Sequence, residues 1–204
     1  QDEPGNPNNG IYAQRYAADG DPVGGETLVN TYTSSDQMYA SVAALESGGY
    51  VVTWMSHNQD GSGYGIYAQR YDADGAPDGT ETLVNTYTAS DQASPSVTAL
   101  EGGGYVVTWM SNGQDGSSWG IYAQSYDADG DPDGTETLVN TNTVSDQTYP
   151  SVTALEGGGY VVTWMSWGQD GSDWGIYAQA FNADGVAQGP ELLVNTYTTN
   201  SQQD

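Results

Sequence analysis

A single pentapeptide, Gly-Ile-Tyr-Ala-Gln, recurs throughout the chain and constrains its fold more than any other feature. Its four copies begin at Gly10, Gly65, Gly120 and Gly175. The spacing is constant, at about 55 residues, and a fixed period of this size is typical of repeat architectures. We therefore interpret residues 1–204 as a single repeat domain. It comprises a half unit at residues 1–37 and full units at 38–92, 93–147 and 148–204.

Each full unit reads as four short β-strands. In the unit 93–147 the predicted strands are residues 96–100, 105–110, 119–126 and 137–141. β-Branched and aromatic residues fill these segments, while Gly, Asp, Asn and Pro fill the gaps between them. No segment shows the apolar spacing of a helix. The half unit supplies two strands, at residues 11–16 and 27–31.

Alternation along the strands predicts how the units pack. Tyr105, Val107 and Trp109 share one face of the second strand, and Val106 and Met110 lie on the other. Both faces are apolar, so we expect this strand to lie between two neighbouring sheets. Four strands per unit of this length favour the blade of a β-propeller. The alternative is a β-solenoid, whose rungs are usually shorter.

Charge excludes several classes of partner. The chain has 27 acidic residues against two cationic ones, for a net charge of −25. Nucleic acid and anionic membrane surfaces are excluded as electrostatic partners, because binding phosphates requires Lys and Arg. No apolar run is long enough to insert into a membrane as a helix. The acidity is equally consistent with solubility in salt and with divalent-cation binding.

The repeated motifs resemble those of a known group of proteins. They are Pro-Ser-Val-x-Ala-Leu, Gly-Gly-Tyr-Val-Val-Thr-Trp, Gly-Ile-Tyr-Ala-Gln-x-Tyr-Asp-Ala-Asp-Gly and Glu-Thr-Leu-Val-Asn-Thr. This pattern resembles the tandem repeat of large secreted bacterial proteins of the haemolysin-type calcium-binding and surface-adhesin group. The resemblance implies an extracellular or cell-surface, calcium-exposed and non-catalytic protein. The strand order and the segment 111–119 also resemble the blades of sialidase-like propellers, although the serine-to-aspartate spacing differs from theirs.

Acidic residues around a repeated Gly turn are the candidate metal ligands. Ca²⁺ takes six to eight oxygen ligands, and alternating carboxylates at a turn can supply them. The candidate calcium ligands in the two middle units are Asp72, Asp74, Asp78, Glu81, Asp127, Asp129, Asp133 and Glu136. The alternative is a tight hairpin in which Asp caps main-chain amides.

A second set of residues suggests glycan binding. Trp119 and Trp174 adjoin polar loops that contain Asp115 and Asp170. An exposed indole in such a loop can stack on a sugar, whereas a buried one packs in the core. These four residues are the candidate ligands of a calcium-dependent lectin with one glycan site per repeat.

The main functional prediction is a non-catalytic structural or adhesive module. The acidic residues recur in every unit, whereas active sites break symmetry, so we expect no enzyme activity. The half unit lacks the first two strands of a blade, and unpaired strand edges recruit further strands. We therefore expect self-association into a filament or another homo-oligomer through the incomplete N-terminal unit.

Overall fold

The computed structural model describes residues 8–202, which form fourteen β-strands and no helix. None of these residues belongs to a helix long and apolar enough to cross a membrane. The first two strands form a half-blade, comprising β1 (Tyr12–Tyr16) and β2 (Pro22–Leu28). The predicted half unit also includes residues 1–7, which lie outside the described range.

Three four-stranded antiparallel sheets, blades 1 to 3, follow the half-blade. Blade 1 contains β3 (Gln37–Ala44), β4 (Tyr50–His57), β5 (Tyr64–Tyr71) and β6 (Pro77–Leu83). Blade 2 contains β7 (Gln92–Ala99), β8 (Tyr105–Asn112), β9 (Trp119–Tyr126) and β10 (Pro132–Leu138). Blade 3 contains β11 (Gln147–Ala154), β12 (Tyr160–Trp167), β13 (Trp174–Phe181) and β14 (Ala187–Leu193).

Each blade is a meander whose strands pair in sequence order. The first strands of successive blades lie beside one another, β3 next to β7 and β7 next to β11, and so mark the inner edge of the assembly. The hairpin between the first two strands ends at a position that only glycine can occupy. A Cβ at Gly104 would overlap the carbonyl oxygen of Tyr126 on the third strand.

Consecutive blades bury an aliphatic face against an aromatic one. Between blades 1 and 2, Val51, Ile66 and Val84 pack against Tyr105 and Trp109. The same arrangement recurs between blades 2 and 3, and between the half-blade and blade 1. The equivalent tryptophans Trp54, Trp109 and Trp164 are at most 1% exposed. The prediction that the second strand lies between two sheets is confirmed.

The all-β class and the blade-like repeat are confirmed as well, whereas two strand boundaries differ from prediction. The first strand of blade 2 begins at Gln92, before the predicted residue 96. The fourth strand spans Pro132–Leu138, because the preceding turn closes early, with Asp127 N–H bonded to the Asp131 carbonyl. In place of a strand at 139–141, the Asn140 side chain accepts a hydrogen bond of 2.6 Å from Ile121 N–H.

Candidate functional site

The inner strand of each blade contains a β-bulge at the same position. The register of β3 with β4 breaks between Met38 and Ser41, and the equivalent breaks occur in β7 and β11. At each bulge one residue other than glycine adopts a left-handed backbone: Tyr39 (φ 56°), Ser94 (φ 53°) and Tyr149 (φ 53°). This conformation is unfavourable for a bulky residue, and such strain tends to be kept where it serves a function.

A buried glutamine fixes the start of each inner strand ahead of the bulge. Gln37 is 2% exposed and accepts a hydrogen bond of 3.0 Å from Asn30 Nδ2. Its own amide donates to the carbonyl oxygen of Ser35 at 2.6 Å. Gln92 and Gln147 repeat these contacts with Asn85 and Asn140. The bulge residues are therefore held on a rigid support.

The bulges line a cavity of about 510 Å³ at the inner edge of the blades, which we call the axial cleft. The tyrosines from blades 1 and 3 are its most exposed rings, with Tyr39 63% and Tyr149 58% exposed. Ser94 of blade 2 lies between them in the blade order. The full lining is Tyr39, Ala40, Ser94, Pro95, Tyr149, Pro150, Ser151, Thr163, Trp164, Met165 and Ile176. Every one of these side chains is uncharged, and several are aromatic or aliphatic.

No motif in the sequence points directly to Tyr39 and Tyr149 as site residues. An available signal was the proline that follows the bulge residue in two units, Pro95 and Pro150. Proline inside a strand marks a bulge or an edge, because it cannot donate to the ladder.

The predicted calcium ligands Glu81 and Glu136 lie at blade boundaries. Glu81 Oε2 accepts hydrogen bonds from Thr31 N–H at 2.7 Å and from Thr31 Oγ1 at 3.1 Å in the preceding sheet. Its other oxygen accepts from the Gln59 amide. Glu136 makes the same contacts with Thr86 and Gln114. These carboxylates therefore link neighbouring sheets.

The predicted aspartate ligands belong to the hairpin between the third and fourth strands. Asp72 Oδ1 accepts a hydrogen bond from Ala76 N–H at 2.8 Å, and Asp127 Oδ1 accepts from Asp129 and Asp131 N–H. Asp78 pairs with Arg70 at 2.8 Å. The remaining predicted ligands in these hairpins are Asp74 and Asp133.

No three His, Cys, Asp or Glu side chains between residues 8 and 202 are grouped so that they can hold a metal ion. The structure does not bring the predicted carboxylates together, and calcium binding remains a prediction.

The predicted glycan ligands lie in the loops between the second and third strands. Trp119 packs against the core shared by blades 1 and 2. Trp174 contacts Trp167 edge to face, with ring centroids 5.3 Å apart. Asp115 Oδ1 and Asp170 Oδ1 each accept a main-chain N–H two residues further along. These four residues lie outside the lining of the axial cleft, and their role in glycan binding remains a prediction.

Burial shifts the titration of the tyrosines between blades. Burial outweighs the opposing effect of the nearby Arg70 charge and raises the pKa of Tyr105 to about 12. Burial, reinforced by Asp115 and Glu136, likewise raises the pKa of Tyr122 to about 12. These phenols therefore keep their protons to a higher pH than an exposed tyrosine does.

Comparison with known proteins identifies the fold. No family model and no curated protein matches the chain. Among solved structures it is similar to a thermostable family-43 glycoside hydrolase, with a TM-score of 0.57 and 12% identity over 87% of this chain and 63% of that one. An α-L-arabinofuranosidase from Lactobacillus brevis gives a TM-score of 0.56 and 14% identity over 84% and 62%. A fucose lectin from Kordia zhangzhouensis, at 0.45 and 14% over 78% and 99%, is too distant to support an argument.

At these identities the similarity shows the fold, which is that of a β-propeller built from four-stranded blades. The chain spans less than two thirds of the length of the two hydrolases. The four-stranded blades and the propeller fold of these structures exclude the solenoid alternative. The resemblance of the repeat motifs to secreted calcium-binding proteins remains an expectation.

The prediction that the chain is not an enzyme is contradicted by the comparison. Its basis was that acidic residues recur in every unit. The two structures compared above at TM-scores over 0.5 are nevertheless glycoside hydrolases, and they share the fold of four-stranded blades. A fold built from repeated blades is therefore no argument against catalysis.

Proposed function

We propose that the chain is a carbohydrate-binding propeller module whose axial cleft takes a neutral saccharide. The observation that carries the proposal is the pair of exposed tyrosine rings, Tyr39 and Tyr149, in an uncharged cleft of about 510 Å³. Ligand pockets typically measure about 300–1,000 Å³ and combine aromatic surface with a few polar groups. Ser94, Ser151 and Thr163 supply hydroxyl groups in the lining.

The chemistry of the lining matches a sugar ring. A pyranose or furanose offers an apolar C–H face that packs on an aromatic ring, and hydroxyl groups at its rim that hydrogen-bond to serine and threonine. The net charge of −25 repels anionic ligands such as uronates and sialylated glycans. These two facts favour neutral saccharides.

Two further observations support the proposal. The tyrosines remain at strained backbone positions, which is common at binding sites. Two structures with the same fold are a glycoside hydrolase and an α-L-arabinofuranosidase, and both act on carbohydrate. Together these observations make arabinose-containing oligosaccharides the first ligands to test.

The proposal also includes the setting in which such binding takes place. We propose an extracellular or cell-surface location, as the resemblance of the repeat motifs implies. A module that binds glycans at a cell surface is adhesive, which agrees with the adhesive function expected from the sequence. The calcium dependence of binding belongs to the same proposal.

The test is calorimetric titration with neutral arabino-oligosaccharides and with an acidic polygalacturonate. Tyr39→Ala and Tyr149→Ala should each weaken binding of the neutral ligand roughly tenfold, since each removes one aromatic platform. Tyr197→Ala is the matched control, because Tyr197 is 64% exposed and lies outside the cleft. Binding that survives both cleft substitutions, or is lost only with Tyr197→Ala, would contradict the proposal.

Release of reducing ends is measured in the same samples, because the shared fold includes glycoside hydrolases. Turnover that falls with Tyr39→Ala would show that the axial cleft also binds a substrate. Binding without turnover would identify a carbohydrate-binding module.

A further inference from the structure

Every boundary between consecutive sheets is held by the same pair of residues. Glu81, Glu136 and Glu191 accept hydrogen bonds of 2.7–2.8 Å from a threonine N–H in the preceding sheet. The hydroxyl of the same threonine donates at 3.1 Å in all three cases. The threonines are Thr31, Thr86 and Thr141. The contact is therefore part of how one sheet of this repeat recognises the next.

One further glutamate and one further threonine occupy the same repeat positions without such a partner. Glu26 occupies the equivalent glutamate position on the half-blade, and Thr196 occupies the equivalent threonine position after β14. Both are exposed, and neither side chain has a hydrogen-bond partner among residues 8–202. The half-blade thus presents the acceptor, and blade 3 presents the donors.

The apolar surfaces beside these two residues are uncovered in the same way. Val194 of blade 3 is 53% exposed, whereas the equivalent valines of the other sheets, Val29, Val84 and Val139, are 3–4% exposed. On the half-blade, Tyr16 is 65% exposed, whereas Tyr71, Tyr126 and Phe181 at the equivalent position are 4–5% exposed. An aliphatic face and an aromatic face therefore remain open, one at each terminal sheet.

We propose that a second copy of this chain docks its half-blade onto the open face of blade 3. Glu26 of one copy then accepts hydrogen bonds from Thr196 N–H and Oγ1 of the next copy, and Tyr16 covers Val194. The contact between copies has the form of the boundary that the chain already makes three times, and it does not depend on the proposed carbohydrate site. Because the two surfaces lie on opposite terminal sheets, the contact is head-to-tail and propagates unless it closes into a ring.

Two properties of the chain set the strength of this contact. The half-blade contributes two strands where a blade contributes four, and it leaves a groove of about 290 Å³ between β1 and β3, next to Val42. The contact is accordingly small. Each copy also carries a net charge of −25, so two copies repel each other at low ionic strength. Association therefore strengthens as sodium chloride is added, opposite to the behaviour of a complex held by opposite charges.

The experiment is sedimentation equilibrium of the chain from micromolar to millimolar concentration, in low and high sodium chloride. Val194→Asp should weaken association about tenfold or more, because it places a charge in an apolar contact. Val144→Asp is the control, since Val144 is 71% exposed and lies in the connection between blades 2 and 3.

Glu26→Ala tests the polar pair. It removes a negative charge and reduces repulsion, so an association that weakens about tenfold despite this reports the lost hydrogen bonds. Asp21→Ala makes the same change of charge on the half-blade and should leave association unchanged or slightly stronger. The proposal is overturned if the chain stays monomeric at every salt concentration, or if the test and control variants behave alike.

Discussion

Arg70 of blade 1 donates a hydrogen bond of 3.0 Å from Nη2 to the carbonyl oxygen of Ala128 in blade 2. The same nitrogen pairs with Asp78 within its own blade at 2.8 Å. Arg15 makes the equivalent contact from the half-blade into blade 1, at the carbonyl oxygen of Ala73. At the boundary between blades 2 and 3 the equivalent residue is Ser125, which leaves a cavity of about 130 Å³ lined by Asp133 and Tyr160.

Ser125→Arg should therefore stabilise the protein. The new guanidinium can fill the cavity, donate to the carbonyl oxygen of Ala183 and pair with Asp133, as Arg70 does one blade earlier. We expect the free energy of unfolding to rise by about 1 kcal/mol, measured by urea denaturation. Ala180→Arg is the control, because no described blade follows it. An equal gain in both variants would show that the effect is one of net charge alone.

Glu136→Ala should destabilise the boundary between blades 1 and 2. It removes hydrogen bonds to Thr86 N–H, Thr86 Oγ1 and the Gln114 amide. The expected loss is about 2 kcal/mol in the free energy of unfolding, because the acceptor is a charged group. Glu26→Ala makes the same change in charge at the position without a partner. Its unfolding curve in dilute solution should match that of the unaltered chain, and a comparable loss there would contradict the assignment.

Tyr39→Gly should separate the strain at the bulge from its function. Glycine accepts a φ of 56° without cost, whereas alanine keeps most of the penalty. Both substitutions remove the ring and should abolish its contribution to saccharide binding. The glycine variant should nevertheless be more stable than the alanine variant, with a free energy of unfolding about 1 kcal/mol higher by urea denaturation. A less stable glycine variant would show that the left-handed backbone is not strained.

Stability should fall at alkaline pH. Burial raises the pKa of Tyr71 and of Tyr105 to about 12, above the usual tyrosine value of about 10. Because the folded state favours the protonated phenols, their contribution is fully present below pH 10 and is lost as pH rises towards 12. Urea denaturation along this range, with tyrosinate absorbance recorded in parallel, measures the effect. A flat stability profile across the range would contradict it.

Calcium binding at the predicted hairpin can be tested by its effect on the melting temperature. If the carboxylates around Asp127 and Asp129 hold Ca²⁺, calcium should raise the melting temperature more than magnesium at equal ionic strength, and chelation should reverse the gain. Asp129→Asn should remove the excess, since it withdraws a candidate ligand. Equal effects of the two cations would indicate screening of the net charge rather than a site.

Much of the architecture could be predicted from the sequence because repetition and alternation are local signals. The alternation of Tyr105, Val106 and Val107 correctly placed the second strand between two sheets, and both faces are buried. The boundary of the fourth strand was wrong because Val139 and Asn140 look like strand residues. The Asn140 side chain replaces a main-chain partner there, and no propensity scale anticipates this.

The candidate site was harder to predict because it depends on contacts between distant residues. Glu81 bonds Thr31, which is far away in the sequence and in a different sheet, so grouping it with nearby aspartates was natural but did not match the structure. Tyr39 belongs to the cleft because of a backbone angle at a bulge. The segment Met38–Ser41 itself gives no sign of that angle.

The most direct test of the central claim is a crystal structure of the chain with a bound neutral oligosaccharide. The account predicts a sugar ring in the axial cleft, with its C–H face against Tyr39 or Tyr149 and a hydroxyl group near Ser94. Sugar found instead on Trp174 and Asp170, in the loop between the second and third strands, would contradict the axial site and support the loop site predicted from the sequence.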